Sequence, residues 1–327
     1  MEKPYVERSE TVYQFLTPGA VLLRAFLDFV MGLFMGNLLV VRFRKMFHEY
    51  SMLGNFVLKT LILIGASFTI NFITHVAYSV FTLHLSFKQS LLNFQGEILH
   101  RSWLVDHMGT WLIIFAFTQL LIEISEKYSP GVFADILLGK YLQPKIEKRI
   151  VMFVDLNDST SVAEQLGHEK YFLFIRDFIA VISLALLENK GRIYQYVGDE
   201  VVVSWRYSEK NERSCLKAIL DARRGIQLRS EIFQRSFGII PEFRIGLHVG
   251  EVTVGEIGII KRDLAMSGDT MNTTARIRDA CTELNKNFIA SKEFIDHIHL
   301  KDWQAEYLGV FELRGKDKTV ELFALKI

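Results

Sequence analysis

The chain has 327 residues, 50% of them hydrophobic, with 38 Lys and Arg against 37 Asp and Glu. That composition excludes a mainly disordered chain and leaves no general basic footprint for nucleic acid. Two cysteines, Cys215 and Cys281, exclude a disulfide scaffold and a four-cysteine zinc site, and read as reduced core residues.

Charge is unevenly spread. Residues 1–124 hold 17 charged side chains and residues 125–327 hold the other 58. A membrane part followed by a soluble part is the simplest reading. A span needs roughly 20 apolar residues in helix, because nothing in hydrocarbon satisfies a bare backbone. Three segments approach this, near 25–41, 60–83 and 105–122. Arg42, Arg44 and Lys45 follow the first, which places that loop in the cytoplasm. Three spans then put the N-terminus outside and the second half in the cytoplasm, as expected for a multi-pass protein of the inner (plasma) membrane. Residues 86–103 between the second and third segments have the mixed character of an interfacial helix. Gly32 and Gly36, four apart, suit close helix packing.

Residues 125–149 form a connector. Pro130 and Gly131 open a helix with a stripe of Val132, Ile136 and Leu137, and Pro144 is expected to end it. Such a helix is either a dimer contact and signal path or a passive linker.

The soluble half, 150–327, opens on a buried strand at Ile150–Val154, stopped by Asp155. A loop then opens a helix with Ser159 or Thr160 as cap, and its backbone N–H groups suit a phosphate. Tyr171–Asn189 is a long helix. Arg192–Tyr196 and Val201–Trp205 pair through a hairpin turn holding Gly198, Asp199 and Glu200. Ser214–Phe237 is helical. Phe243–Val249 and Glu251–Gly255 read as two strands separated by Gly250, followed by a helix at Asn272–Leu284 and strands at Tyr307–Leu313 and Thr319–Leu325. Without a strict βαβ repeat, the fold class is α+β with a mixed or antiparallel sheet. Asp155 and Asp199, at neighbouring strand ends, can hold hard divalent ions. Asp158 and Glu200 read as turn or solvated residues, and Tyr194, Tyr196 and Trp205 as strand packing.

These residues carry a resemblance. FVDLNDST, YQYVGDEVV, FRIGLHVGEVTVGEIG, SGDTMNTTARI and LRGK stand in the order and spacing of class III nucleotidyl cyclase catalytic domains, the adenylate and guanylate cyclases. The resemblance covers about residues 125–327, and the whole chain is similar to membrane-anchored bacterial members. It implies a ferredoxin-like palm and a head-to-tail homodimer whose two active sites are each built from both chains. It implies that Asp155 and Asp199 hold two divalent cations (Mg2+ or Mn2+), that Asn272 orients the ribose, and that Arg276 stabilises the transition state. By the same resemblance Arg244 and Arg314 hold the triphosphate. The implied reaction turns ATP into 3′,5′-cyclic AMP and pyrophosphate.

Two positions depart from the family pattern. Gln195 stands where adenylate cyclases usually have Lys, and Ala265 where they usually have Asp or Thr; the Glu and Cys of guanylate cyclases do not match either. Gln195 can both donate and accept, whereas the side chain of Ala265 can do neither. ATP and GTP both stay open. So does a non-catalytic receptor module that binds nucleotide and dimerises. A diguanylate cyclase is disfavoured, because the paired glycines and phenylalanine of that signature are absent.

Overall fold

The computed structural model describes residues 26, 29–30, 32–34, 36–37, 52–81, 85–99, 109–125, 128, 131–208, 211–260, 263–298, 304–312 and 319–327. The chain divides into two compact units, 1–127 and 128–327.

The first unit contains helices α1 (Met52–Phe81), α2 (Phe87–Leu99) and α3 (Gly109–Ser125). Among the described residues no helix is long and apolar enough to cross a membrane. The three expected spans thus find no support here. Of the segment near 105–122, residues 109–122 lie in α3 and residues 105–108 lie outside the described residues. Residues 60–81 of the segment near 60–83 lie in α1, and residues 82–83 and most of 25–41 fall outside the described residues. A polar cluster joins α1 to α3: Glu123 Oε1 accepts from Lys59 Nζ at 3.1 Å, Asn55 Nδ2 at 3.1 Å and Gln119 Nε2 at 3.0 Å. Residues 86–103 do hold a helix, α2, with Phe94 buried and Phe87 and Leu92 exposed.

The second unit opens on α4 (Val132–Leu137). This helix ends at Gly139, not at Pro144. Gly139 takes φ +65°, its N–H meets Ile136 O, and Lys140 N–H reaches Asp135 O. That is a Schellman cap, whose left-handed residue glycine adopts without strain. Asp135 ties the connector to the sheet, accepting from Arg192 Nη1 at 2.7 Å and Arg206 Nη2 at 3.3 Å.

The rest is one mixed eight-stranded sheet with helices. The strands are β1 (Lys145–Leu156), β2 (Arg192–Val197), β3 (Glu200–Arg206), β4 (Phe243–Ile257), β5 (Asp263–Ser267), β6 (Phe288–Ser291), β7 (Ala305–Glu312) and β8 (Thr319–Leu325). Their order is β2-β3-β1-β4-β6-β8-β7, with β5 paired to β4. The helices are α5 (Ser159–Glu188), α6 (Glu212–Leu228), α7 (Ser230–Phe237), α8 (Asp269–Glu283) and α9 (Lys292–Ile298). The β1–α5–β2–β3–α6–α7–β4 run, with β1 between β3 and β4 and both pairings antiparallel, is the ferredoxin-like palm.

The continuous apolar run at the start of this half has a simple cause. Successive strand residues face opposite sides, and both sides of β1 are covered. Ile150, Met152, Val154 and Leu156 pack with Phe174, Phe178 and Phe233 of α5 and α7. Val151 and Phe153 pack on the other face with Tyr141, Val252 and Met271. Asp155 continues the second set, so it ends β1 on the face that α8 covers.

Several elements differ from expectation: β1 starts at Lys145, inside the expected connector and five residues before Ile150, and β5, β6 and α9 are not among the expected elements. β4 runs unbroken through Gly250, because twelve consecutive residues of β1 pair along it. The helix expected over Ser214–Phe237 breaks at Arg229 into α6 and α7.

Gly246 in β4 lets α8 lie directly on the sheet. A Cβ there would stand 2.5 Å from Arg278 N and 2.6 Å from Thr274 O. Gly246→Ala must push the helix backbone away, and overpacking of this kind costs about 1–3 kcal/mol. A lower denaturant midpoint with an unchanged slope is expected.

Candidate functional site

The site is built at one end of β1. The β2–β3 hairpin turns through Gly198 and Asp199, with Val197 opposite Glu200 and Gly198 at φ +62°. A two-residue turn with glycine in the left-handed region matches the strand twist and fixes the register. This register sets Asp199 beside Asp155.

Asp155 is buried, at 4% exposure. Its Oδ2 accepts from Arg244 Nε at 2.9 Å, Arg244 Nη2 at 2.7 Å and Arg278 Nη1 at 2.9 Å. Arg244 stands opposite Asp155 in the β1–β4 register and also donates to the Thr282 hydroxyl. The residue expected to grip a triphosphate is therefore tied to the first of the two aspartates expected to hold metal. Asp199 Oδ2 is buried without a hydrogen-bond partner among the described residues. Burial and then the nearby Asp155 push the Asp199 carboxyl up, while a hydrogen bond from Ser159 pulls it down.

A buried carboxylate oxygen with no donor is what a cation site leaves behind in the bare protein. Among the described residues no group of three or more His, Cys, Asp and Glu could hold a metal. Mg2+ needs no such cage, since it is usually bound by one or two carboxylates with substrate phosphates and water. Two carboxylates suit a cation whose remaining ligands are water and, once substrate is bound, its phosphates.

Glu200 is not a solvated turn residue. It is buried and pairs with Arg278 Nη2 at 3.0 Å. Burial pushes its carboxyl up from 4.5 to about 7; Arg278 opposes this, while Asp155, Asp279 and Asp199 reinforce it. The folded chain thus holds a proton that the unfolded chain releases, so stability falls as pH rises through that interval. Below about 4.5 both states hold the proton, and above about 7 both have lost it. Glu200→Gln is expected to flatten the fall between pH 5 and 7, measured by denaturant unfolding of the metal-free chain.

Asn272 and Arg276 lie four apart on α8, which puts them on one helix face. Asn272 is exposed and Arg276 half-buried. Arg276 makes no ion pair or hydrogen bond among the described residues. Its guanidinium is thus uncommitted, unlike those of Arg244 and Arg278. Ser159 opens α5 and its hydroxyl serves Asp199 and Tyr171, while Thr160 beside it is exposed. Gln195 is exposed on β2 opposite Val202, past an irregularity in the pairing. Ala265 is half-buried on β5 opposite Gly255, and β2 and β5 are neighbours. Arg314 lies outside the described residues.

Arg278 has no place in the sequence-level site. A residue two further along a helix faces about 200° away, so it points from the Arg276 face into the sheet. A charge inside the buried stripe of Thr274, Ile277 and Cys281 was the available signal. The expected packing residues behave as packing. Trp205 is fully buried and donates Nε1–H to Asn189 O at 2.9 Å. Both cysteines are buried and in no disulfide, and burial pushes the Cys281 thiol up to about 12. Tyr196 is the exception: it is half-exposed, its hydroxyl 3.1 Å from Ser183 Oγ.

Comparison with known proteins agrees with this geometry. The chain is 30% identical to "Adenylate cyclase 2" of Rhizobium meliloti over 207 residues, 63% of this chain and 57% of that protein. It is 21% identical to an adenylate cyclase of Anabaena cylindrica, over 68% of this chain and 47% of that one. The chain thus spans about half the length of these relatives. Among solved structures, a bacterial light-regulated adenylyl cyclase aligns with TM-score 0.56 at 19% identity, covering 65% of this chain and 63% of that one. The adenylyl cyclase CyaB from P. aeruginosa aligns with TM-score 0.50 at 21% identity, covering 56% and 96%. The profile described as "Adenylate and Guanylate cyclase catalytic domain" matches residues 142–326, more than half of the chain. With the palm, the paired aspartates and this match, the chain belongs to the adenylate and guanylate cyclase catalytic domain family.

Proposed function

We propose that the protein is a membrane-bound class III nucleotidyl cyclase that converts ATP to 3′,5′-cyclic AMP and pyrophosphate at a homodimer interface. The observation that carries this is the pairing of buried Asp155 with Asp199, whose Oδ2 has no donor among the described residues, at the end of a cyclase palm. Asp155 and Asp199 would hold two divalent cations, Mg2+ or Mn2+, which when bound neutralise phosphate oxygens and make the ribose 3′-OH easier to deprotonate. The 3′-oxygen forms a bond to the α-phosphorus, the bond from that phosphorus to the bridging oxygen breaks, and pyrophosphate leaves. Arg244 exchanges Asp155 for the triphosphate, with Arg314 as its expected companion. The amino end of α5 at Ser159 and Thr160 faces phosphate with its backbone N–H groups. Asn272 orients the ribose and Arg276 meets the charge that builds at the α-phosphoryl group. These two come from the second chain, which supplies the other half of the site.

Base choice rests on Gln195 and Ala265. A site that lacks a buried polar reader discriminates weakly, because the wrong base leaves no protein group unpaired. Purified full chain with Mn2+ and either ATP or GTP is expected to yield both cyclic products by mass spectrometry. The kcat/KM ratio is expected to lie within about a hundredfold, far below the 10⁴–10⁵ of a hydrogen-bonded site. No product from either nucleotide would leave the second reading, a nucleotide-binding receptor module, which Ala265 favours.

Membrane attachment belongs to the first unit. Leu53, Leu61 and Ile73 of α1, and Ile113 and Phe117 of α3, are each at least 59% exposed. An apolar surface of this kind marks a lipid or protein contact. The reading places the second unit in the cytoplasm at the inner (plasma) membrane and makes the first its regulator. Recovery of the chain in the membrane fraction after alkaline carbonate washing tests it.

A further inference from the structure

We infer that Arg278 is the positioning residue of the metal site, locking both carboxylate-bearing elements to α8. The inference rests on the reading of Asp155 and Asp199 as metal ligands and adds a residue to it. One guanidinium reaches three elements. Nη1 holds Asp155 Oδ2 at the end of β1 at 2.9 Å. Nη2 meets Glu200 Oε2 at the start of β3 at 3.0 Å, and Nε meets Asp279 Oδ1 on α8 at 3.2 Å. Glu200 adjoins Asp199, so Arg278 reaches one aspartate directly and the other through its neighbour.

The setting is built for this contact. The side chains of Arg278, Asp155 and Glu200 are 21%, 6% and 10% exposed, so water screens little of the hydrogen bond to Asp155 or of the ion pair with Glu200, whose Oε2 has no hydrogen-bond partner among the described residues. Gly246 lets the Arg278 backbone lie on β4. Arg244 and Arg278 meet Asp155 at the same oxygen, Oδ2. A carboxylate gripped at one oxygen presents the other in a fixed direction. Only arginine offers a planar fork that can serve two carboxylates at once; lysine is a point charge. Partners that orient a metal ligand are typically worth about 10–100-fold in metal affinity or activity. Unlike Arg276, this guanidinium is surrounded by protein carboxylates, hydrogen-bonded to Asp155 and ion-paired with Glu200 and Asp279, and it faces away from the α8 face assigned to the nucleotide.

The test is Mn2+ binding to the purified full chain, read by electron paramagnetic resonance without nucleotide. Arg278→Met is expected to raise the Mn2+ Kd about tenfold. The nucleotide KM at saturating Mn2+ should stay at the wild-type value, which general damage to the fold would not allow. Arg278→Lys should lie between the two. Glu200→Gln should weaken binding less, and the double variant should be no worse than Arg278→Met, because coupled residues are not additive. Mn2+ binding in folded Arg278→Met equal to or tighter than wild type would overturn the inference. If that variant does not fold, wild-type Mn2+ binding in Glu200→Gln overturns it instead. Failure of the wild type to bind Mn2+, or unchanged binding in Asp155→Asn, would overturn the metal reading itself and the inference with it.

Discussion

Asp155→Asn is expected to lower cyclic nucleotide formation about a thousandfold or more at saturating nucleotide. Metal assistance to phosphoryl chemistry is worth several kcal/mol of transition-state stabilisation, and about 1.4 kcal/mol is a factor of ten in rate. Asparagine keeps the size of the side chain and removes its charge. Alanine would confound the result: Arg244 and Arg278 both lean on Asp155 Oδ2, and removing it strands two half-buried guanidiniums. The measurement is kcat under Mn2+ with thermal unfolding beside it. A chain that unfolds like wild type and turns over within tenfold of it would remove Asp155 from the chemistry.

Arg276→Ala is expected to cost about 10²–10³ in kcat, as loss of a preorganised charge-stabilising group does. Stability should barely move, because Arg276 makes no ion pair or hydrogen bond among the described residues. KM should also change little, since a group that acts only in the transition state lowers kcat and kcat/KM together. A large rise in KM with kcat intact would reassign Arg276 to ground-state binding of the triphosphate. The contrast with Arg278, two residues away, makes the assignment sharp. Arg276 makes no such contact among the described residues, whereas Arg278 is hydrogen-bonded to Asp155 and ion-paired with Glu200 and Asp279.

The α+β class was legible because most strands and helices carry strong local signals, while the palm itself was implied by the resemblance to the cyclases. The run at Ile150–Val154 marked β1 since both of its faces are covered, and Gly198 marked the hairpin. Asp155 and Asp199 were legible as carboxylates at strand ends. What was not legible depended on pairing. Gly250 reads as a break until twelve residues of β1 are laid along β4. Pro144 reads as the helix stop, yet Gly139 caps α4 five residues earlier. Glu200 reads as solvated because turn carboxylates usually are; only the approach of α8 over Gly246 buries it against Arg278. The described parts of the apolar segments near 60–83 and 105–122 were legible as helices, while their relation to a membrane is a matter of surroundings that helix periodicity does not report.

The central claim is that each active site joins Asp155 and Asp199 of one chain to Asn272 and Arg276 of another. Co-expression of differently tagged Asp155→Asn and Arg276→Ala chains, followed by tandem purification of the mixed dimer, tests it most directly. Each variant alone is inactive by the argument above. The mixed dimer carries one site with both lesions and one with neither, so it is predicted to form cyclic nucleotide at about half the wild-type rate per dimer. A mixed dimer as inactive as either parent would contradict the shared site.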